Sequence, residues 1–315
     1  MYRRIYLFTI CSLLVCISCK NKDADRKETA SLPSLTVGVM SSMDYLPLAV
    51  AEREGYFKAE GLDLKIQPFF AANDRDAAFQ SGNVDGVVID YTGAILQKAG
   101  GVDLKLVSKC DAPFYIVAGK NSGINSLAEL KGKQVAVSQN TVIDYCVDMA
   151  LKSVNLTSGD IKKIEINKIP LRFEMLVNNK VDATGLPNPF ALMAQAEGGK
   201  ILVGNDSLKF SITGIMFKQE AIDKKSESIK KMYIAYNKGV DYIKSHTVND
   251  IADILKKDLR FPDAIIAHTS LPDYTHAKAP SDIDIQMVSR WLANRGLIKA
   301  GFDQSSLVDR QILGN

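Results

Sequence analysis

A repeat inside the chain constrains its fold more than any other feature. The segment AFQSGNVDGVVIDYTGAILQKAGG, from Ala78 to Gly101, aligns with MLVNNKVDATGLPNPFALMAQAEGG, which begins at Met175. Val84-Asp85 falls on Val181-Asp182, 97 residues later, and Ala94 falls on Ala191. Both copies read as helix, tight turn, Val-Asp, strand, polar loop, helix, Gly-Gly. A chain that writes one supersecondary unit twice is expected to build two similar lobes with a cleft between them.

The rest of the body supports that reading. Short apolar runs alternate with amphipathic segments, the pattern of an α/β protein. LTVGVM (35–40) is matched by QVAVS (134–138), and LDLKI (62–66) by IKKIEI (161–166). The helical pattern of Leu171 to Val177 mirrors the one that ends before Gly82. After a further strand, SITGIMFK, a helix carries Ile229, Met232, Tyr233, Tyr236, Val240 and Ile243 on one face. The tail is expected to return to the first lobe, with crossings near Cys110–Phe114 and Phe210–Thr213. The predicted fold class is therefore α/β, with two similar doubly wound lobes, a central ligand cleft and two hinge crossings. Lobe 1 is assigned residues 34–111 and 214–315, and lobe 2 residues 112–213.

The N-terminus has a different character. A basic start (Met1 to Arg4) precedes an apolar run from Ile5 to Ile17, then Ser18-Cys19, then an abruptly polar stretch. That order describes a secretory signal over residues 1–18. The apolar run is too short for a spanning helix, which needs about 20 residues. Cys16-Ile17-Ser18-Cys19 resembles the bacterial lipobox, with Cys16 where leucine is usual. The resemblance implies cleavage before Cys19, its lipidation, and attachment to a membrane through it. Residues 19–33 are polar enough to serve as a flexible tether. Of five cysteines, only Cys110 and Cys146 lie in the body. Without CxxC spacing they are expected to be small buried apolar residues, neither bridged nor metal-bound. The formal charge is +3, of which Arg3 and Arg4 supply two. The remaining +1 gives no electrostatic reason to expect nucleic acid.

In open parallel sheets, ligands sit beyond the carboxyl ends of strands. Four such ends carry polar loops here. Thr141 opens a helix after a strand, where unpaired backbone N–H groups suit an oxyanion, with Ser138 and Asn140 able to add hydrogen bonds. Thr141 or Asn140 can equally be a simple cap. Ser41, Ser42, Asp44 and Tyr45 stand at the matching place in lobe 1, where Asp44 reads first as a helix N-cap. Asp90-Tyr91, with Asp111 and Asp144-Tyr145, suits a planar nitrogen-bearing ligand, through stacking and carboxylate acceptance. The bland alternative is core packing for each tyrosine and a turn or cap for each aspartate. Asn188, between Pro187 and Pro189, sits where Tyr91 sits in the repeat. Replacing Asp90 or Asn188 by alanine is expected to weaken binding and spare folding. The acidic loops favour an amine or aminopyrimidine, the Thr141 helix start favours an oxyanion, and a zwitterion would satisfy both.

Four stretches carry a resemblance: DYLPLAVAEREGYFKAEGLDLKI, GNVDGVVID, ELKGKQVAVSQNT and NNKVDATGLPNP. They are similar to the ABC-importer binding proteins for sulfonates, taurine, nitrate and thiamine-pyrimidine precursors, over about residues 35–300. The resemblance implies a periplasmic binding protein type 2 fold whose lobes close on a small-molecule ligand. It also implies a monomer that docks on a membrane permease at the periplasmic side of the envelope, with no cofactor and no catalysis. Two rivals remain. One is a lipoprotein that senses its ligand without transport. The other is a cytosolic enzyme on the same fold, which the signal sequence contradicts. No P-loop, GxGxxG, GxSxG or HExxH motif occurs. His246, His268 and His276 lie in the C-terminal region, away from the candidate loops.

Overall fold

The computed structural model describes residues 32–314. The signal-peptide reading, Cys19 and nearly all of the tether lie outside the described residues. The body contains two five-stranded sheets. The first is built from β1 (Ser34–Met40), β2 (Asp63–Phe69), β3 (Gly86–Asp90), β4 (Leu104–Lys109) and β10 (Thr213–Lys218). The second contains β5 (Phe114–Ala118), β6 (Gln134–Val137), β7 (Lys162–Glu165), β8 (Ala183–Pro187) and β9 (Lys200–Gly204). Helices α1 (Leu46–Arg53), α2 (Tyr56–Ala59), α3 (Ala72–Ser81) and α4 (Tyr91–Ala99) belong with the first sheet. Helices α5 (Val142–Ser153), α6 (Ile169–Val177) and α7 (Phe190–Ala196) belong with the second. The C-terminal part adds α8 (Gln219–Ser245), α9 (Ala252–Lys257), α10 (Asp263–Ile266) and α11 (Asp282–Asn294).

The two sheets have the same plan. Their orders are β2-β1-β3-β10-β4 and β7-β6-β8-β5-β9. In each, three strands run parallel, and the fourth is antiparallel to both its neighbours. That antiparallel strand is the one the chain enters on crossing from the other sheet. Residues 110–113 carry the chain from β4 to β5, and residues 205–212 return it from β9 to β10. The crossings are tied to their surroundings by hydrogen bonds. Asn205 Oδ1 accepts the Phe114 amide at 2.7 Å, Asn205 Nδ2 donates to Phe210 O at 2.8 Å, and Cys110 N donates to Thr213 O at 2.8 Å. The predicted fold class, two doubly wound lobes joined by two crossings, is the one observed.

The repeated Val-Asp has a structural cause. Val84 and Val181 are buried, while each aspartate carboxylate takes an amide in the first residues of the neighbouring strand. Asp85 Oδ2 accepts from Thr36 N, and Asp182 Oδ2 from Gln134 N, both at 2.8 Å. Each aspartate thereby sets the register between two parallel strands. The turn before it is also shared. Gly82 closes α3 at φ +84°, and Asn179, 97 residues on, holds the same left-handed position after α6 at φ +56°. Glycine takes that conformation freely and asparagine tolerates it. The close packing of α8 on α1 depends on Gly239, where a Cβ would fall 2.3 Å from Pro47 O.

Apolar packing runs from one lobe to the other. One continuous cluster contains Val87 and Ile89 of β3, Phe114 and Ile116 of β5, Ile143 of α5, and Val288 and Leu292 of α11. Ile169 N also donates across the divide to Phe70 O at 3.3 Å. Cys110 and Cys146 are free thiols buried in different clusters.

Asp182→Ala should cost about 1–2 kcal/mol in urea unfolding, because the Gln134 amide loses its acceptor. A loss below about 0.3 kcal/mol would contradict the register role given to this carboxylate.

Candidate functional site

Residues at and just after the carboxyl ends of β1, β2, β3, β6 and β7 line a cleft with about 480 Å³ of empty space, part of it open to solvent. Lobe 1 contributes Ser42, Asp44, Arg75, Asp90 and Thr213 as polar lining, and lobe 2 contributes Ser138, Thr141, Asn167 and Arg172. Apolar wall comes from Met40, Val88 and Ile89 on one side, and from Phe114, Val142, Ile143 and Ile169 on the other.

The two arginines are related by the repeat. Arg75 and Arg172 are 97 residues apart, each in the first turns of its helix, α3 or α6. Each reaches back to the adjoining strand. Arg75 Nη1 donates to Val88 O at 3.4 Å, and Arg172 Nε to Gly185 O at 3.3 Å. Val88 and Gly185 are themselves 97 residues apart. Both side chains are essentially inaccessible, at 2% and 1% exposure.

Their electrostatic settings differ. Arg75 is surrounded by acid: Nε donates to Asp76 Oδ1 at 2.9 Å. Nη2 lies 2.8 Å from that oxygen and 3.5 Å from Asp90 Oδ2, off the line of a directed hydrogen bond. At the repeat positions of Asp76 and Asp90, lobe 2 has Phe173 and Pro187. Arg172 donates Nη1 to Ile166 O and Asn167 O, at 3.0 and 3.2 Å, and has no carboxylate partner among the described residues. Burial alone lowers its pKa to about 10. It is therefore still a cation at neutral pH, facing a cavity whose acids, Asp44 and Asp90, stand on the other lobe's wall and make no ion pair with it.

Asp44 occupies the opposite wall. It is not the helix cap its position suggested. Ser42 caps the short turn at Met43–Tyr45, accepting the Asp44 amide, while Asp44 Oδ1 accepts the Thr213 hydroxyl at 3.2 Å. Burial, reinforced by nearby Asp90, raises its pKa to about 7 despite hydrogen bonds from Thr213, Ala112 and Ser42. Asp90 has two tasks besides lining the cavity. Its Oδ1 caps α4 by accepting the Gly93 amide at 2.7 Å and the Thr92 hydroxyl, and its Oδ2 faces Arg75. Removing it would therefore also disturb the fold, against the expectation from sequence.

Of the sequence-predicted residues, Ser42, Asp44, Asp90, Ser138 and Thr141 come together at the cavity, and the others do not line it. Ser41 is buried beside it. Tyr45 turns to the C-terminal part, donating its hydroxyl to Asp258 O at 2.6 Å. Tyr91, the first residue of α4, is wholly buried in the apolar cluster, with its ring against β10 at Gly214. Asp111 accepts the Thr275 amide and hydroxyl, at 2.8 and 3.0 Å, and pairs with Lys109, which ties a crossing to the C-terminal segment. Asn140 adopts φ +61° and donates its amide to Asp144. Asn188 is buried with Oδ1 unpartnered. Thr141 does cap α5, accepting the Ile143 amide at 3.3 Å. Both arginines were missed from sequence. The repeat alignment started at Ala78, and carrying the same offset three residues upstream places Arg75 on Arg172.

The Asp44 carboxyl generates a pH prediction for the ligand-free protein. Its pKa is about 7 folded and near the ordinary 3.8 unfolded. Between these values the folded state holds more protons, so this group's stabilising contribution falls as pH rises through that window, then levels off. The full effect is at most about 4 kcal/mol. Asp44→Asn should flatten that part of the melting-temperature profile and gain most, relative to the parent, above neutrality. An unchanged slope would contradict this assignment.

With this geometry in hand, the relatives can be compared. A model of the family described as NMT1/THI5 like matches residues 42–249. A Bacillus subtilis protein that carries the name of an aliphatic sulfonates-binding protein is 26% identical over 274 residues, covering 80% of this chain and 79% of its own. Among solved structures, the zinc-bound ligand-binding component of an ABC-type import system from Staphylococcus aureus superposes with a TM-score of 0.75. It has 15% identity, over 89% of this chain and 98% of that one. The periplasmic aliphatic sulphonate binding protein SsuA from Escherichia coli gives 0.73 and 18%, over 88% and 97%. These structural likenesses speak for the two-lobed periplasmic-binding-protein fold. The family match extends over more than half of the chain, and the protein belongs to the NMT1/THI5-like family.

Proposed function

We propose that the protein is the extracytoplasmic solute receptor of an ABC importer, anchored through a lipid on Cys19, and that its cargo is a small organic anion of the sulfonate type. One observation carries the ligand class: Arg172 is a buried guanidinium that faces the cavity and, among the described residues, has only carbonyl partners. Burying an uncompensated cation is costly, and an entering sulfonate, nitrate or carboxylate would supply the missing charge through paired N–H donors. Ser138, Thr141 and the start of α5 would add neutral donors on the same wall. The names of the relatives point the same way, since one is that of an aliphatic sulfonates-binding protein.

The planar aminopyrimidine reading has less support. It relied on tyrosines for stacking, and Tyr45, Tyr91 and Tyr145 do not line the cavity, whose aromatic surface comes from Phe114. The mechanism follows from the two-lobed wall. An anion held by Arg172 and also touching Ser42, Asp44 and Thr213 has both sets of contacts only when the lobes are together, so binding shifts the population towards closure. The closed body then presents one surface to a permease.

The test is a titration of the body, residues 34–315, with aliphatic sulfonates, nitrate and aminopyrimidines. An anion should bind, and Arg172→Met should weaken it by about 30-fold or more, the usual cost of truncating one partner of a buried charge pair. Ligand-free Arg172→Met should melt at the parent temperature or above it, because an unpaired buried charge has been removed. Undiminished anion affinity in that variant, or binding of aminopyrimidines alone, would reject the proposal.

A further inference from the structure

Beyond the cavity, α5 of lobe 2 is gripped by two side chains from the C-terminal end of α11. Asp144, in the first turn of α5, is wholly buried and accepts the Asn140 amide at 2.9 Å through Oδ2. Arg295 Nη2 lies 3.0 Å from that same oxygen. One turn further along, Asp148 Oδ2 accepts Trp291 Nε1 at 2.9 Å and Arg295 Nη1 at 3.3 Å. Lys163 pairs with both aspartates from β7, so two acids meet two bases. The Arg295 guanidinium stacks 4.5 Å over the Trp291 ring. That ring in turn meets Tyr145 edge-on, with centroids 5.4 Å apart. Tyr145 makes the same contact with Phe210 in the second crossing, also at 5.4 Å.

The geometry joins this cluster to the ligand wall. The segment Ser138–Thr141 lines the cavity at both its ends. Its left-handed residue, Asn140, is fixed by the Asp144 carboxylate, and that carboxylate is fixed by Arg295. Helix α11 rests on α4 of lobe 1, and the chain after it pairs with β4 through Leu106 and Val308. Arg295 and Trp291 thus reach from the lobe-1 side to hold a loop of lobe 2.

We propose that Arg295 and Trp291 are positioning residues for ligand capture. They clamp Asp144 and Asp148 so that the Ser138–Thr141 loop stands in its ligand-ready conformation with the lobes together. The link to ligand rests on the binding function proposed above, whereas the link to the loop does not. The clamp is built of charge-assisted hydrogen bonds around the buried Asp144, and Lys163 still pairs with both aspartates when Arg295 is removed, so the loss falls on the loop rather than on the whole fold.

The experiment uses the soluble body with Arg295→Ala, Arg295→Lys and Trp291→Phe. Amide exchange is followed by mass spectrometry, and ethanesulfonate affinity by calorimetry. In Arg295→Ala, exchange across residues 138–143 should rise by about tenfold while β6 and the last turns of α5 keep parental protection. Ethanesulfonate should bind about tenfold more weakly, with little change in ligand-free melting temperature. Arg295→Lys should restore part of both effects, and Trp291→Phe should reproduce them more weakly. Unchanged exchange at 138–143 would overturn the proposal, and so would an equal rise throughout lobe 2, which marks a merely structural role. If ethanesulfonate fails to bind the parent, the sulfonate reading fails, while the exchange result still decides the clamp.

Discussion

An arginine side chain taken out of water needs an anion, and Arg172 makes no ion pair among the described residues. Its guanidinium is held by three backbone carbonyls, which satisfy hydrogen bonds but leave the charge unbalanced. The surroundings follow from that constraint. The helix that carries Arg172 starts at the cavity wall, and the strand beneath offers Gly185 O as an anchor for the buried side chain. A fold that keeps a charge in this state tolerates a local cost that binding of an anion removes.

The repeat shows how one scaffold yields two different walls. Both lobes place an arginine at the same point of the same helix, tied to the same strand carbonyl. In lobe 1 the neighbours are Asp76 and Asp90, so Arg75 becomes part of the wall. In lobe 2 the equivalent places hold Phe173 and Pro187, so Arg172 keeps its charge for something else. Asp44, with its pKa raised to about 7, makes the lobe-1 wall responsive to whatever sits opposite it. The cavity therefore has polarity, with an acidic side and a cationic side, and that polarity arises from Asp44 together with two differences between the copies, Asp76 against Phe173 and Asp90 against Pro187.

Much of the fold was legible because strand order depends on local signals. Apolar runs mark buried strands, Gly82 and the Val-Asp pairs mark turns and register, and the second copy repeats them. The site was half legible. Polar residues at strand ends, such as Ser42, Asp44, Ser138 and Thr141, are exposed by position alone. Arg75 and Arg172 sit inside amphipathic helices, where an arginine reads as a solvent-facing residue until the repeat is extended to cover it. Tyr91 was misplaced because an aromatic after a buried strand serves the core as well as a ligand. Asp111 and Asp144 take their roles from Thr275 and Arg295, more than a hundred residues away, and no local pattern reports such partners.

The central claim is that an organic anion sits against Arg172 between closed lobes. The most direct measurement is a crystal structure of the body with 2-bromoethanesulfonate, with the bromine located by its anomalous signal. The account predicts sulfonate oxygens within hydrogen-bonding distance of the Arg172 guanidinium, and the bromine towards the Asp44 side of the cavity. A sulfonate bound outside the cavity, or turned towards Asp44 with Arg172 uncontacted, would contradict it.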